Sequence, residues 1–186
     1  MAEQAGSLRG RLLVAVPSLV DPSFHRSVVL MLEHTSEGAL GLVLNRPTEL
    51  LARDALPPPL AEALPVSERV HQGGPVQPEA VIVLADFAAP ELSAGITFGS
   101  VGIVDPDADP TLLPPQIRAI RAFGGYAGWS GGQLEEEVAQ EAWIDAVALS
   151  DDVFTDAPDA LWGRVLERKG GRFRLIARMP EDPSLN

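Results

Sequence analysis

The sequence predicts an α+β fold. Many short apolar runs of strand length are mixed with short helix-like segments, and they do not follow the regular strand–helix alternation of a doubly wound sheet. No phosphate-loop or dinucleotide glycine fingerprint is present. The chain has 186 residues, of which 46 % are hydrophobic, enough to bury a sizeable core. One domain spanning 1–186 is expected, with flexible ends at 1–10 and 179–186. No internal repeat or dividing linker is visible.

The elements follow in order. Residues 12–16 read as a first strand, stopped by Pro17. Residues 27–34 are an almost unbroken apolar run, so the second strand is expected to be buried on both faces. Glu37-Gly38 supplies a turn, and residues 39–44 form a third strand paired with the second as a hairpin. Two such strands need cover on both sides, so helices must pack on them. Residues 48–64 are helix-like but interrupted by Pro57-Pro58-Pro59, which predicts two short helices with a stiff kink. Residues 70–72 and 80–84 are strands flanking the Gly73-Gly74-Pro75 turn. Any strand over 96–104 must be bent or bulged, because Gly95, Gly99 and Gly102 interrupt it. Asp109-Pro110 reads as an N-cap followed by proline at the first helical position, and Pro114-Pro115 limits that helix to about one turn. Residues 117–128 are ambiguous on periodicity. Ser130 and Gln133 stand at capping-box spacing, which predicts a helix over about 131–140, with Glu135, Glu136 and Glu137 near its positive end. Residues 143–147 alternate as a half-exposed strand. Ala160, Leu161, Trp162, Val165 and Leu166 mark a last amphipathic helix over about 158–169, stopped by Gly170.

The formal charge is −12, from 14 basic and 26 acidic residues. Such a chain repels a phosphate backbone, so direct nucleic-acid binding is disfavoured. The one basic cluster, Arg164, Arg168, Lys169, Arg172, Arg174 and Arg178, reads as a solvated helix face and tail. The absence of cysteine excludes disulfides, thiolate catalysis and Cys-ligated zinc. The apolar stretch 12–20 is too short for a membrane span and has no signal-peptide cleavage pattern after it, so a cytoplasmic location away from membranes is expected.

Four patterns could carry chemistry. Gly128-Trp129-Ser130-Gly131-Gly132 matches the G-x-S-x-G nucleophile elbow, but His25, His34 and His71 all precede Ser130, and an α/β-hydrolase needs its histidine after the serine. Ser130 as a helix cap is the preferred reading. The three histidines lack metal-ligand spacing, and Asp105-Pro106-Asp107-Ala108-Asp109 lacks the glycine and distal glutamate of a calcium loop, so no metal or cofactor is expected. In Asn45-Arg46-Pro47-Thr48, Thr48 could cap a following helix and place Arg46 beside its N-terminus. Gly73-Gly74 could add backbone donors in a nest-like turn. Together Asn45, Arg46, Gly73 and Gly74 would make a small anion site; alternatively, Asn45 and Arg46 bridge loops structurally, Arg46 reaching Glu135.

These residues also carry a resemblance. Asp21-Pro22, Phe24, Ser27-Val28-Val29, Glu33-His34, Gly38-Ala39 and Asn45-Arg46-Pro47 resemble the N-terminal signature of the YqgE/AlgH family. Gly73-Gly74-Pro75 resembles its central motif, and Gly125-Tyr126-Ala127-Gly128-Trp129 with Gly132-Gln133-Leu134-Glu135 and Trp143 its third. Asp159 and Trp162 fit its final helix. The resemblance covers roughly residues 10–170. It implies a strand over 117–128 and a mixed, bent β-sheet closing into a barrel-like core with peripheral helices. It implies no established enzyme activity. One branch is associated by name with regulation of alginate synthesis, and members are often described as transcriptional regulators. A redox role proposed for some relatives would depend on cysteine, which this chain lacks.

The expected function is therefore that of a non-catalytic binding or regulatory protein. Asn45, Arg46, Gly73, Gly74, Trp129, Gln133 and Glu135 would line its surface for a small anionic ligand or protein partner, with no catalytic residue assigned. The alternative is an enzyme acting on a small anionic substrate in a hydrolase-like way, with Arg46 as anchor and Glu135 or His71 as general acid–base. Direct transcriptional control ranks third.

Overall fold

A computed structural model describes residues 6–181. Strands β1 (Arg11–Ala15), β2 (Val28–Thr35) and β3 (Gly38–Val43) form an antiparallel meander. After them come β4 (Pro47–Leu51), the one-turn helices α1 (Ala52–Ala55) and α2 (Pro58–Ala61), β5 (Arg69–Gln72) and β6 (Val76–Phe87). The hairpin β7 (Ser93–Phe98) and β8 (Val101–Val104) leads through two 3₁₀ turns into β9 (Ile117–Ser130). The chain continues through α3 (Gln133–Ala139), β10 (Trp143–Val147), α4 (Ser150–Val153), α5 (Pro158–Lys169) and α6 (Phe173–Ala177).

All ten strands join one sheet, in the order β10-β1-β2-β3-β9-β6-β8-β7, with β4 on β5 and β5 on β9. Every pairing is antiparallel except β5 with β9. The sheet curls into a half-barrel around the 14-residue β9. Its C-terminal end pairs with β3, while most of its length pairs with β6. The curl brings the start of β1 against β7. Arg9 bridges that seam, donating from Nε to Leu32 O at 3.0 Å and from Nη2 to Ile96 O at 2.7 Å.

The alternation of side chains across a strand sorts the core. Leu12 and Val14 join an inner cluster that draws on β1, β2, β3, β6, β8, β9 and β10. Leu13 and Ala15 face the outer side, packed with Met31, Trp129 and Leu134 of α3. A second outer cluster gathers Leu64, Val83, Phe87 and Ile120 beneath α1 and α2. Helix α5 fills the inner face with Leu161, Trp162, Val165 and Leu166, all buried. Each such side chain contributes about 1.5–3 kcal/mol on burial, against about 0.2–0.5 kcal/mol for a surface ion pair on a helix. Packing rather than propensity therefore makes this helix.

Several expectations need correction. Residues 48–51 form a strand, because β5 offers them a partner: Thr48 Oγ1 donates to Val70 O at 2.8 Å, and Arg69 pairs with Glu49 at 2.6 Å. Thr48 therefore caps no helix. The glycines at 99 and 102 make a hairpin rather than one bent strand, with Gly99 in the turn at φ +52°. Ser130 does not cap α3. The N-cap is Gly132 at φ +82°, and the side-chain bond runs the other way, from Ser130 N–H to Gln133 Oε1 at 3.1 Å. Helices α4 and α6 were not foreseen. The flexible ends were placed partly on residues 1–5 and 182–186, which lie outside the described residues. Residues 7–10 hydrogen-bond to β2: Ser7 Oγ donates to His34 O, Leu8 N–H to His34 Nδ1, and Gly10 N–H to Met31 O.

Candidate functional site

A cavity of ≈ 910 Å³ opens where three chain segments meet α5. The first is the loop after β1. Asp21 folds it into a tight turn, accepting the Ser23 N–H on Oδ1 at 2.7 Å and the Phe24 and His25 N–H groups on its carbonyl. The turn delivers Arg26 in the left-handed region at φ +52°, a conformation that costs a non-glycine residue about 1–2 kcal/mol. The second segment holds that strain in place. Asn45 accepts the Val28 N–H on Oδ1 and donates from Nδ2 to Arg26 O, both at 2.9 Å. Arg46 follows and donates from Nη2 to His25 O at 2.7 Å. The third segment is 177–181, which follows α6 and whose Met179 and Pro180 carbonyls accept from Arg26 Nη2. Trp162 of α5 supplies a wall. Its face lies 4.4 Å from the Arg26 guanidinium, and its Nε1–H donates to Ala15 O at 2.9 Å. Asp159 and Glu181 also line the cleft.

Among the described residues neither Arg26 nor Arg46 reaches a carboxylate at ion-pair distance. Burial lowers the Arg46 pKa from the ordinary arginine value, with the Asp21 charge opposing. Arg26, which lines the same cleft, has its Nε buried without a hydrogen-bond partner. A partly desolvated cation of this kind is stabilised by an arriving anion.

The other expected residues do not share this cleft. Gly73 and Gly74 are committed to the sheet. Gly73 N–H donates to Gly124 O, and Val43 N–H donates to Gly73 O, both at 2.8 Å. The two glycines cross β9 so closely that a Cβ on Gly73 would stand 2.3 Å from Gly125 O. The Gly73 amide is thus taken by β9, and neither glycine is among the residues that line the cleft. Trp129, Gln133 and Glu135 lie at the far end of β3, where Gly38 pairs with Ser130, whereas Val43 meets Gly73 at the near end. Val43 and Trp129 nevertheless pack in one outer cluster, and none of Trp129, Gln133 and Glu135 is among the residues that line the cleft.

On the outer face Glu137 of α3 accepts both indole N–H groups, Trp129 at 2.9 Å and Trp143 at 2.8 Å, together with Gln133 Nε2 at 3.0 Å. The Phe24 ring packs against both tryptophans. Glu135 is exposed and pairs with His34 at 3.0 Å, not with Arg46. Since His34 Nδ1 accepts the Leu8 N–H, Nε2 carries the proton given to Glu135. Its own main-chain N–H, then the imidazole, hold the Glu135 carboxyl below the usual range.

His71 is not a cleft residue. It is 4 % exposed, packs against Phe123, and is pushed down to about 4 by burial and then by the Arg121 charge. Ser130 Oγ faces Gln133 rather than a histidine. Among the described residues no group of three or more His, Asp or Glu side chains could hold a metal. Sequence reasoning found Asn45 and Arg46 but missed His25, Arg26 and Glu181. Asp159 and Trp162 were noted only as matching a final helix.

A curled half-barrel filled by one helix, with two arginines lining a cleft at one end, is the architecture that defines the class of this protein. The chain belongs to the AlgH-like family, whose model matches residues 12–174. It is 44 % identical to a UPF0301 protein of Streptomyces coelicolor over 98 % of this chain and 97 % of that one. A UPF0301 protein of Thermobifida fusca is 42 % identical over 97 % and 96 %. Two solved structures share the fold. A Corynebacterium diphtheriae protein superposes with a TM-score of 0.83 at 26 % identity, covering 95 % of this chain and 94 % of the other. The AlgH protein of Pseudomonas aeruginosa gives 0.70 at 26 %, covering 97 % and 98 %. These relatives are described by family and fold, without a specific function. Among the described residues no helix is long and apolar enough to cross a membrane.

Proposed function

We propose that this protein is a non-catalytic binding protein of regulatory type, acting in the cytoplasm, whose cleft takes the carboxylate or phosphate group of a small molecule on Arg46 and Arg26. The observation that carries the reading is Arg46 itself, a half-buried guanidinium with one neutral partner and no ion pair among the described residues. Binding is preferred because, among the described residues, the cleft lining offers no serine, threonine, tyrosine or lysine as a nucleophile, and none of its acid–base groups, His25, Asp159 and Glu181, is hydrogen-bonded to a nucleophile. The acid–base groups of the enzyme reading, Glu135 and His71, lie outside it. Two members of the basic cluster are already engaged within the protein. Arg168 makes a two-point contact with buried Asp152, and Lys169 donates to Asp145 O.

The test is thermal denaturation with a panel of phosphates and polycarboxylates. A bound anion stabilises by about 2.7 kcal/mol at a concentration 100 times its Kd, which moves Tm measurably. Arg46→Ala should keep its fold, since it loses one hydrogen bond, and should lose that shift. A wild-type Tm indifferent to the whole panel, or a shift retained in Arg46→Ala, rejects the reading.

A further inference from the structure

The cleft carries its own competitor. Arg26 is set in a strained backbone, clamped by Asn45 and laid over Trp162, so its guanidinium is placed in advance. Yet it spends Nη2 on two neutral main-chain carbonyls, Met179 O and Pro180 O, and leaves Nε unpartnered. Neutral carbonyls are weaker acceptors for a guanidinium than carboxylate or phosphate oxygens, by roughly a factor of two. The next residue, Glu181, lines the same cleft and brings a negative charge into it. From these contacts we propose that residues 178–181 form an autoinhibitory strap, and that an anion reaching Arg26 and Arg46 displaces it. The inference rests on the proposed anion site and adds its regulation.

The competition has a direction. An anion on Arg26 takes the donor that the Met179 and Pro180 carbonyls use, and it meets the Glu181 carboxylate as a like charge. Binding and strap docking are then mutually exclusive, so each weakens the other by the same factor. The released segment, with exposed Met179 and Leu175 beside it, would become the signal that the ligand is bound.

The chain has no cysteine, so Met179→Cys gives a single attachment point for a spin label on an exposed side chain. Saturating inorganic phosphate or citrate should sharpen the label's spectrum as the strap comes free, and Arg26→Gln in that background should sharpen it without ligand. Glu181→Gln, an exposed substitution outside the core, should bind the same anion about fivefold more tightly or better. Thermal shift is recorded on every sample. An anion that raises Tm but leaves the spectrum and the Glu181→Gln affinity unchanged overturns the strap and spares the site. An anion panel that never raises Tm overturns both.

Discussion

Gly74→Ala is expected to destabilise the protein by at least about 3 kcal/mol, more than any loss of a surface contact would. A Cβ built on Gly74 stands 2.1 Å from Tyr126 C, 2.3 Å from Ala127 N and 2.3 Å from Tyr126 O. Overpacked cores usually lose about 1–3 kcal/mol because side chains can shift. Here every obstructing atom is main chain, and that main chain is β9, which also holds β3, β5 and β6. Relief requires the turn after β5 to lift away from the central strand. Small domains hold about 5–15 kcal/mol in total, so the loss is a large fraction of the whole. Urea denaturation followed by circular dichroism reads it. Gly132→Ala is the control: Gly132 also has positive φ, but nothing stands within 4 Å of its Cβ, so only about 1–2 kcal/mol of backbone strain applies. A Gly74→Ala protein with the wild-type midpoint and no anion response would restore Gly73-Gly74 as a ligand nest. The expected outcome makes the pair a crossing point of the sheet.

How much of this was legible follows from what kind of information each element needs. The hairpin of β2 and β3, β10 and α5 are written in local patterns: apolar runs of strand length, alternation, and i, i+3, i+4 spacing ended by Gly170. β9 is not. Along it Ile120 and Ala122 face one outer cluster, Phe123 the inner one, and Ala127 and Trp129 the other outer one. With cover on both sides, period-two polarity vanishes, and only the family resemblance placed a strand there. β4 was lost to helix propensity because its partner, β5, is about 20 residues away. In the site, Asn45 and Arg46 were visible as a polar pair at a strand end. Arg26 was not, because its role depends on carbonyls 153 and 154 residues further on. No local pattern says that Arg46 lines the cleft while Gln133 bonds to Glu137 of α3.

The second large effect is a dependence on acid. Between pH 7 and pH 4, His71 alone should withdraw about 3 kcal/mol of stability. The imidazole donates from Nδ1 to Arg69 O at 3.2 Å, while Nε2 is buried without a partner against Phe123. The charged groups around it are Arg121, 5 % exposed, and Glu68, which pairs with Arg121 at 2.7 Å. Burial first, and the Arg121 charge second, lower the pKa from 6.5 to about 4. The unfolded chain therefore takes up the proton first. The contribution is whole above pH 6.5, falls as the pH drops through the window from 6.5 to about 4, and is gone below it. His71→Leu cannot titrate. It should be less stable than wild type at pH 7, by about 1 kcal/mol for the lost hydrogen bond, and should overtake wild type near the acid end. Urea midpoints for both proteins at pH 7, 5.5 and 4.5 check this, and parallel curves would refute a neutral, buried His71. The effect bears on the cleft as well. His71 pairs with Pro47 across β4 and β5, and the next residue, Gln72, donates its N–H to Arg46 O at 2.7 Å. Acid that protonates His71 loosens the strand pair on which Arg46 stands, so anion binding should fail in the same pH window, ahead of global unfolding.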